Sequence, residues 1–292
     1  MKNIETLVED IYGVLRNDDG GIELTVDQQA ELGARIAAKV AYTLNRGERK
    51  RKEKTLRMSE IGKPCLRQLW YDYHTPAVAE PLLPHTRFKF LYGDIIEEVT
   101  LFLAKVSGHE VTGEQEELII NYRDWTIKGR RDALIDGVLV DVKSASTYSF
   151  KKFKEGLNDS NDAFGYRDQL DAYNLADPSE SRPAGWLVAD KQNGHLAWAP
   201  HTSVPANLPE RLDAIIDALE SKVPPKRGFD DVPEGKSGNM KLGVECSYCP
   251  YKQVCWPTLR AFAYERGPIF LTEVRRQPNV PELDLKKGIE SE

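Results

Sequence analysis

The chain has no continuous apolar stretch that approaches the roughly 18 residues of a membrane-spanning helix. Its first residues mix acidic with apolar side chains and lack the apolar core of a secretory signal. We therefore expect a protein without a membrane span that resides in the cytoplasm, where thiols stay reduced. Overall positive charge is also missing, because 40 Lys and Arg face 46 Asp and Glu, for a formal net charge of −6. This excludes a global basic field for nucleic acid, although local basic runs occur at residues 46–57, 128–131 and 151–154.

Cysteine and histidine are scarce. None of the five histidines has ligand spacing with another, so we assign them no chemistry. Three of the four cysteines form a C-x2-C-x5-C cluster at Cys246, Cys249 and Cys255, and Cys65 lies far upstream. Closely spaced thiols in a reducing compartment favour a metal over a disulfide. Zinc and a [4Fe–4S] cluster both accept four thiolates, and the alternative is four buried free cysteines.

The stretch from residue 127 to residue 143 predicts a β-hairpin. Asp136-Gly137 is a two-residue turn of the kind that requires positive φ at both positions. With that turn, Asp132 lies opposite Asp141, at a Cβ separation of about 4.5–5.5 Å. Lys143 points to the same side as Asp141, since side chains alternate along a strand.

Two adjacent carboxylates repel one another unless a cation lies between them or one of them is protonated. A hard divalent ion such as Mg²⁺ suits oxygen ligands, and a lysine beside it can hold an anionic oxygen or a nucleophilic water. These groups are the ones required for metal-assisted attack on a phosphodiester. The alternative is an ordinary surface hairpin with its charges in water.

Hydrophobic periodicity predicts the remaining elements. Helices are expected at 4–15, 25–44, 59–73, 88–107, 161–176, 208–219 and 258–264. Strands are expected at 111–120, 125–135, 138–144, 185–190 and 195–198, a loop at 224–243, and a flexible tail at 277–292. The order predicts an α/β fold with a small mixed sheet flanked by helices. The first two helices are either an appendage or the first layer of this domain.

With these pieces placed, the chain resembles the PD-(D/E)XK nuclease superfamily, specifically the RecB-like branch with an iron–sulfur clamp. Five motifs occur in the family's order: Gly93-Asp-Ile-Ile-Glu97, Gly129-Arg-Arg-Asp132, Asp141-Val-Lys143, Gln169-Leu-Asp-Ala-Tyr173, and Cys65 with the late cysteine trio. The resemblance covers about residues 58–258 and implies a restriction-endonuclease-like core. It implies a helical extension and basic linker at 1–57, a nuclease domain at 58–276 and the tail at 277–292.

The resemblance implies that Glu97, Asp132 and Asp141 hold Mg²⁺ or Mn²⁺ and that Lys143 polarises the attacking water. Glu97 stands where the branch often has histidine, and the spacing from Gly93 selects it over Glu98. Gln169 and Tyr173 are implied to act at the site or on the DNA. The four cysteines are implied to hold a [4Fe–4S] cluster, and the residues expected to contact DNA are Arg130, Arg131, Lys151 and Lys152.

These features predict a DNA exonuclease that acts on single-stranded or resected DNA ends in prokaryotic or phage recombination, repair or replication, with single-stranded or duplex DNA ends as its partner. It could act as a homo-oligomer or with a replication or recombination partner. Two alternatives stay open: a CRISPR-adaptation nuclease that trims spacer precursors, and a non-catalytic DNA-binding module that kept the fold.

Overall fold

The computed structural model describes residues 2–16, 20–45, 52–177, 182–202 and 207–285. Half of the predicted basic run at 46–57, namely 46–51, lies outside these residues. The chain divides into two compact units, Met1–Gly62 with Pro84–Leu212, and Lys63–Leu83 with Asp213–Glu292. This division differs from the predicted boundaries at residues 57 and 276, because the segment from Lys63 to Leu83 groups with the C-terminal part of the chain. None of the described helices is long and apolar enough to cross a membrane.

The helices are α1 Leu7–Arg16, α2 Val26–Leu44, α3 Met58–Ile61, α4 Leu66–His74, α5 Pro84–Val106, α6 Thr147–Glu155, α7 Tyr166–Ala176, α8 Leu208–Glu220, α9 Val244–Ser247 and α10 Lys252–Cys255. The strands are β1 Thr55–Arg57, β2 Val111–Thr112, β3 Glu117–Tyr122, β4 Trp125–Arg130, β5 Ala133–Ile135, β6 Val138–Ala145, β7 Ala184–Asp190, β8 Leu196–His201, β9 Val232–Pro233, β10 Met240–Lys241, β11 Arg260–Tyr264, β12 Gly267–Glu273 and β13 Glu282–Leu283.

Two mixed sheets form the frame of the first unit. The larger has the order β2-β5-β6-β7-β8, in which β6 and β7 are parallel and the other pairs are antiparallel. The smaller has the order β1-β4-β3. Helices α1 and α5 contribute Leu7, Ile11, Leu101 and Ala104 to a core against one face of the larger sheet. The fold class is therefore mixed α/β, consistent with a restriction-endonuclease-like core.

The β-hairpin predicted at 127–143 required a tight turn at 136–137, and this turn is confirmed. Asp136 has φ of 51° and Gly137 has φ of 79°. Strand β5 pairs with β6 from Ala133↔Val140 to Ile135↔Val138. This register fixes which residues of the two strands share a face.

The prediction of single strands at 111–120 and 125–135 was wrong. In the structure β2 and β5 belong to the larger sheet, whereas β3 and β4 belong to the smaller one. Gly113 and Gln115 adopt positive φ of 58° and 54° between β2 and β3. The main chains of the two connections bind each other, with Arg131 N donating to Glu116 O at 3.2 Å and Gln115 N donating to Asp132 O at 3.3 Å. The two connections, β2–β3 and β4–β5, therefore pass between the sheets side by side.

The two N-terminal helices are part of the first unit and not an appendage, so the extension predicted at 1–57 is corrected. Leu7 and Ile11 of α1 are fully buried in the core. Asp10, also on α1, contacts His109 Nε2 at 3.1 Å, and His109 Nδ1 contacts Asp136 Oδ2 at 2.6 Å. Helix α2 begins at the predicted capping box of Thr25 and Gln28.

The second unit contains an antiparallel sheet of order β13-β11-β12-β10-β9. The helix predicted at 258–264 was wrong, because these residues include β11. Arg260 lies over the ring of Phe262, two residues on, which is the contact of a strand face. The loop predicted at 224–243 contains β9 and β10. Within the tail predicted at 277–292, Glu282–Leu283 pairs with β11, and residues 286–292 lie outside the described part.

Candidate active site

Asp132 and Asp141 lie side by side at the open end of the hairpin. Asp132 directly precedes β5, and its Oδ2 accepts a hydrogen bond of 2.7 Å from Val142 N on β6. Asp141 is buried in β6, and its Oδ2 lies 2.7 Å from Lys143 Nζ. The side chains of Val140 and Val142 point to the opposite face of the strand, into the apolar core. The hairpin thus presents two acids and one lysine together, as the turn and register predict.

Glu97 on α5 is the third acid of this cluster. Gln115 Nε2 donates to Glu97 Oε1 at 2.9 Å, and Lys39 Nζ on α2 lies 3.3 Å from the same oxygen. The neighbouring Glu98 is buried and paired with Arg35 at 2.5 Å and with Lys39 at 3.2 Å. Successive helical residues point about 100° apart, so only one of the two acids can face the hairpin. Glu97 is the acid that acts electrostatically on Asp132.

The electrostatics of the cluster are those of crowded, buried carboxylates. Burial raises the pKa of Asp132 well above its ordinary value, and the charges of Glu97 and Asp141 raise it further. Burial also raises the pKa of Glu97, against the opposing effect of Lys39. Burial acts to lower the pKa of Lys143, but Asp141 and Asp132 outweigh it and the net pKa is raised. Lys143 is therefore protonated. Its single positive charge does not neutralise the carboxylates beside it.

The donor set of the cluster fits a hard divalent cation. Three carboxylates offer oxygen ligands, and their mutual repulsion is the kind that a bound cation relieves. Across residues 2–16, 20–45, 52–177, 182–202 and 207–285, no three His, Cys, Asp or Glu side chains stand as they are in an arrangement that could hold a metal ion. The roles of Glu97, Asp132 and Asp141 as metal ligands stay predictions.

Gln169 and Tyr173 share one face of α7 next to the hairpin. Gln169 Nε2 donates to Tyr173 Oη at 3.3 Å. Burial raises the pKa of Tyr173 to about 12, with a further contribution from Asp141. The phenol is therefore neutral at physiological pH and can donate a hydrogen bond within the site.

Glycine is required at position 129 because Tyr173 and Met58 pack against that backbone. A Cβ there would lie 2.6 Å from Tyr173 Cε1 and 2.7 Å from Met58 Sδ. We expect Gly129→Ala to destabilise the fold by about 1–3 kcal/mol through overpacking. In α2, a Cβ at Gly33 would meet nothing within 4 Å. The matched change Gly33→Ala should therefore stabilise by about 0.5–1 kcal/mol, since glycine is unfavourable within a helix. Urea unfolding of both variants checks the opposite signs, and equal shifts would contradict the packing at Gly129.

The acid cluster also predicts how the stability of the metal-free protein depends on pH. A carboxyl whose folded pKa is raised above the unfolded value binds its proton more tightly when folded. The free energy of unfolding should therefore rise as pH falls from neutral through the raised values of Asp132 and Glu97. Urea midpoints in EDTA between about pH 8 and about pH 5 measure this. Asp132→Asn should reduce the pH dependence, whereas exposed Asp124→Asn should preserve it.

Three residues near the cluster were not predicted from the sequence. Lys39 and Gln115 both contact Glu97, and Tyr166 lies with its ring centroid 5.0 Å from Lys143 Nζ. Their contacts depend on how α2, the turn before β3 and α7 pack, and no local pattern marks them. Tyr166 had one usable signal, because it lies three residues before Gln169 on the predicted helix.

The four residues predicted to contact DNA lie in different environments. Arg131 is buried, and its guanidinium binds Glu116 and Asp177, at 2.5 Å for the latter. It therefore holds the two strand connections together instead of facing DNA, and this prediction is corrected. Arg130 and Lys151 are exposed. Lys152 Nζ donates to Asn161 O at 3.2 Å and lies over the ring of Tyr148.

The second unit brings the four cysteines into one neighbourhood. Burial, together with the neighbouring thiols of Cys65 and Cys255, raises the pKa of Cys246 to about 11. Burial raises the pKa of Cys249 to about 12, and Cys65, Cys246 and Cys255 each contribute. All four thiols are free. Four neighbouring thiols form a donor set that fits either zinc or an iron–sulfur cluster.

The segment at Arg227-Gly228 fixes two of these cysteines. Arg227 Nε and Nη2 donate to Cys255 O at 3.1 and 2.6 Å. A Cβ at Gly228 would lie only 3.2 Å from Cys65 Sγ. The backbone of Gly228 therefore lies close to Cys65 within the second unit, and a side chain at position 228 would crowd the thiol.

No protein-family model matches this chain, and no curated protein matches it. Among solved structures, the chain is similar to SSO0001, with a TM-score of 0.44 and 16% identity, over 79% of this chain and 96% of that one. It is also similar to the alkaline exonuclease LHK-Exo from Laribacter hongkongensis, with a TM-score of 0.37 and 12% identity, over 57% of this chain and 88% of that one. Both are distant likenesses, so function is inferred from the side chains of the site.

Proposed function

We propose that this chain is a metal-dependent deoxyribonuclease that hydrolyses phosphodiester bonds at DNA ends. The observation that carries the proposal is the placement of Asp132 and Asp141 side by side at the end of the hairpin, with the partly buried Lys143 2.7 Å from Asp141 and Glu97 close enough to raise the pKa of Asp132. Asp132, Asp141 and Lys143 match the family motifs, and Glu97 stands at the position where the branch often has histidine. The match extends to Gln169 and Tyr173, whose hydrogen bond lies on the helix face next to the hairpin.

The three acids would hold Mg²⁺ or Mn²⁺. When bound, such an ion supplies Lewis-acid polarisation of the phosphate and lowers the pKa of a nearby water. In the metal-free protein Asp141 and Asp132 raise the pKa of Lys143 and keep it protonated. Its ammonium group is suited to stabilise the negative charge that develops on the phosphate oxygens.

The hydrogen-bonded pair of Gln169 and Tyr173 contributes orientation. With its pKa at about 12, the Tyr173 phenol stays neutral. It can therefore donate a hydrogen bond to an acceptor on the substrate or in the cluster. Gln169 fixes the phenol through the bond of 3.3 Å. The packing of Tyr173 against Gly129 fixes the ring relative to the strand that leads to Asp132.

In the second unit, we assign the four cysteines to a [4Fe–4S] cluster with a structural role. A compact trio with a remote fourth cysteine fits two tight zinc-binding pairs poorly. The cluster would join α4, which follows Cys65, to the short helices that carry the trio.

The proposed function is tested with 5′- and 3′-labelled oligonucleotides, single- and double-stranded, in Mg²⁺, Mn²⁺ or EDTA. We expect cleavage with either metal, none in EDTA and none with Asp132→Asn. The labels and strands give polarity and substrate preference together. Asp124→Asn is the matched control, because Asp124 is exposed and precedes β4, whereas Asp132 follows the other end of that strand.

Two other outcomes would replace the proposal. Wild-type protein that binds DNA but never cuts it with either metal would be a non-catalytic DNA-binding module. Copurification with an integrase, together with trimming of short duplexes to defined lengths, would indicate the CRISPR-adaptation activity. Cleavage that persists in EDTA would contradict the metal dependence.

A further inference from the structure

Two exposed phenylalanines of the first unit are connected to active-site residues. Phe90 on α5 is 50% exposed, and Phe164, just before α7, is 54% exposed. Single exposed aromatic rings are common on protein surfaces, so what distinguishes these two is where they lie relative to the site. The surroundings of each ring identify what it binds.

Phe164 is connected to the catalytic lysine through one intermediate ring. Its centroid lies 5.7 Å from that of Tyr166, and the Tyr166 centroid lies 5.0 Å from Lys143 Nζ. The pair of rings therefore forms a continuous aromatic path from the surface to the cation of the site. A planar group resting on Phe164 would lie close to the phosphate that Lys143 holds.

Phe90 is connected to the site through the helix that carries Glu97. The two residues are seven apart, which places them on one stripe of α5, about 10 Å from each other along its axis. Phe88 is more exposed, at 68%, but it lies nine residues before Glu97 and so points from the opposite side of the helix. Two phenylalanines of one helix thus differ in whether they face the site.

The first turns of α5, on which Phe90 lies, carry positive charge, and the first acid of the helix is Asp94, one turn further towards Glu97. Residues 84–93 contain Arg87 and Lys89 and no Asp or Glu, in a chain whose net charge is −6. Within the part of the chain that the structure describes, neither cation has a carboxylate at ion-pair distance. Unneutralised cations beside exposed aromatic rings match a polyanion that also offers flat apolar groups, which is the chemistry of a nucleic-acid strand.

We infer that Phe90 and Phe164 stack unpaired bases, so that the site takes a single DNA strand. The inference rests on the proposed function and names its substrate class. In a duplex each base already stacks on its neighbours and offers no free face, whereas every unpaired base has a π-face for an aromatic side chain. Arg87 and Lys89 attract the phosphates of the same strand.

The test measures binding without cleavage, in the Asp132→Asn background. Phe90→Ala, Phe164→Ala and the control Phe88→Ala are titrated with fluorescein-labelled oligo(dT) and with a blunt hairpin duplex, in Mn²⁺. We expect Phe90→Ala and Phe164→Ala each to weaken single-strand binding by about tenfold. Phe88→Ala should leave it unchanged, and none of the three should change duplex binding.

A second readout reports stacking directly. Oligonucleotides that carry 2-aminopurine at successive positions should show fluorescence quenching at the base that contacts each ring, and the quenching should vanish at one position with Phe164→Ala. Any of three results would overturn the inference. Phe88→Ala and Phe90→Ala could have equal effects, binding of duplex and of single strand could fall equally, or neither Phe90→Ala nor Phe164→Ala could change binding.

Cleavage assays on protein with Asp132 intact, run in parallel, distinguish failure of the stacking inference from failure of the proposed nuclease function. If the protein cleaves DNA with metal but its binding does not depend on Phe90 or Phe164, the inference is overturned and the proposed nuclease function stands. Aromatic-dependent single-strand binding without cleavage would support the binding surface and overturn the nuclease. Neither binding nor cleavage of any labelled DNA would overturn both.

Discussion

Replacement of Asp132 by asparagine is expected to abolish DNA cleavage and yet leave the metal-free fold at least as stable as the wild type. Asparagine keeps an oxygen that can accept the 2.7 Å hydrogen bond from Val142 N but removes a charge from the proposed ion site. Charge stabilisation by a metal is worth several kcal/mol, and about 1.4 kcal/mol is tenfold in rate, so activity should fall by about three orders of magnitude.

The stability half of this prediction follows from the raised pKa of Asp132. Burial and the nearby charges of Glu97 and Asp141 make the ionised carboxylate unfavourable in the folded protein. Removing it relieves that cost at neutral pH, which urea unfolding in EDTA measures. Asp124→Asn should retain full activity. A variant that loses activity together with several kcal/mol of stability would show that Asp132 is structural and would contradict its catalytic role.

Replacement of Cys65 by serine is expected to release bound metal and to unfold much of the second unit. Structural metal sites with four thiolates contribute on the order of 10 kcal/mol to folding, and serine is a poor substitute for a thiolate. The measurements are iron and zinc content per chain, the visible absorption of anaerobically purified protein, and limited proteolysis between Asp213 and Leu285.

Tyr248→Ala is the matched control for Cys65→Ser. Tyr248 lies between Cys246 and Cys249 and is largely exposed, so its removal alters the same loop without removing a thiol. It should keep its metal and its resistance to proteolysis. Brown wild-type protein with iron supports the cluster, whereas colourless protein with stoichiometric zinc would replace iron by zinc in the same site. Metal-free wild type with all four thiols reactive would contradict both.

The hairpin of the candidate site could be predicted because its information is local. Asp136-Gly137 specifies its own turn, and the turn sets the register that places Asp132 beside Asp141. Helix geometry says only that one of Glu97 and Glu98 can face the hairpin, and the choice of Glu97 came from its spacing from Gly93 in the family motif. Features that depend on two or three neighbouring residues were therefore available from the sequence.

The change of sheet at Arg131 could not be predicted in the same way. Residues 125–135 have continuous strand character, and the break depends on Glu116 and Asp177, which bind the Arg131 guanidinium from 15 and 46 residues away. Such distant partners override a local preference. Arg131 was predicted to contact DNA because the sequence pattern gives no sign of these two partners.

The error at β11 has a different cause. Residues 260–264 form a short apolar run, and runs of this length do not distinguish a strand from a helix by periodicity. Pairing with β12 decides the outcome, and that pairing depends on the turn before Gly267 at φ of 115°. A glycine at the far end of the run was the only local indication of a hairpin.

The contact of His109 with both Asp10 and Asp136 has a practical consequence for anyone who shortens this chain. Asp10 sits on the first helix, and Asp136 sits in the turn of the hairpin that carries Asp132 and Asp141. Trimming the N-terminus to obtain a minimal fragment would strip the buried imidazole of one partner and uncover Val140 and its neighbours. Loss of cleavage in such a fragment would report damage to the hairpin's support, even though the deletion lies more than 100 residues from the acids.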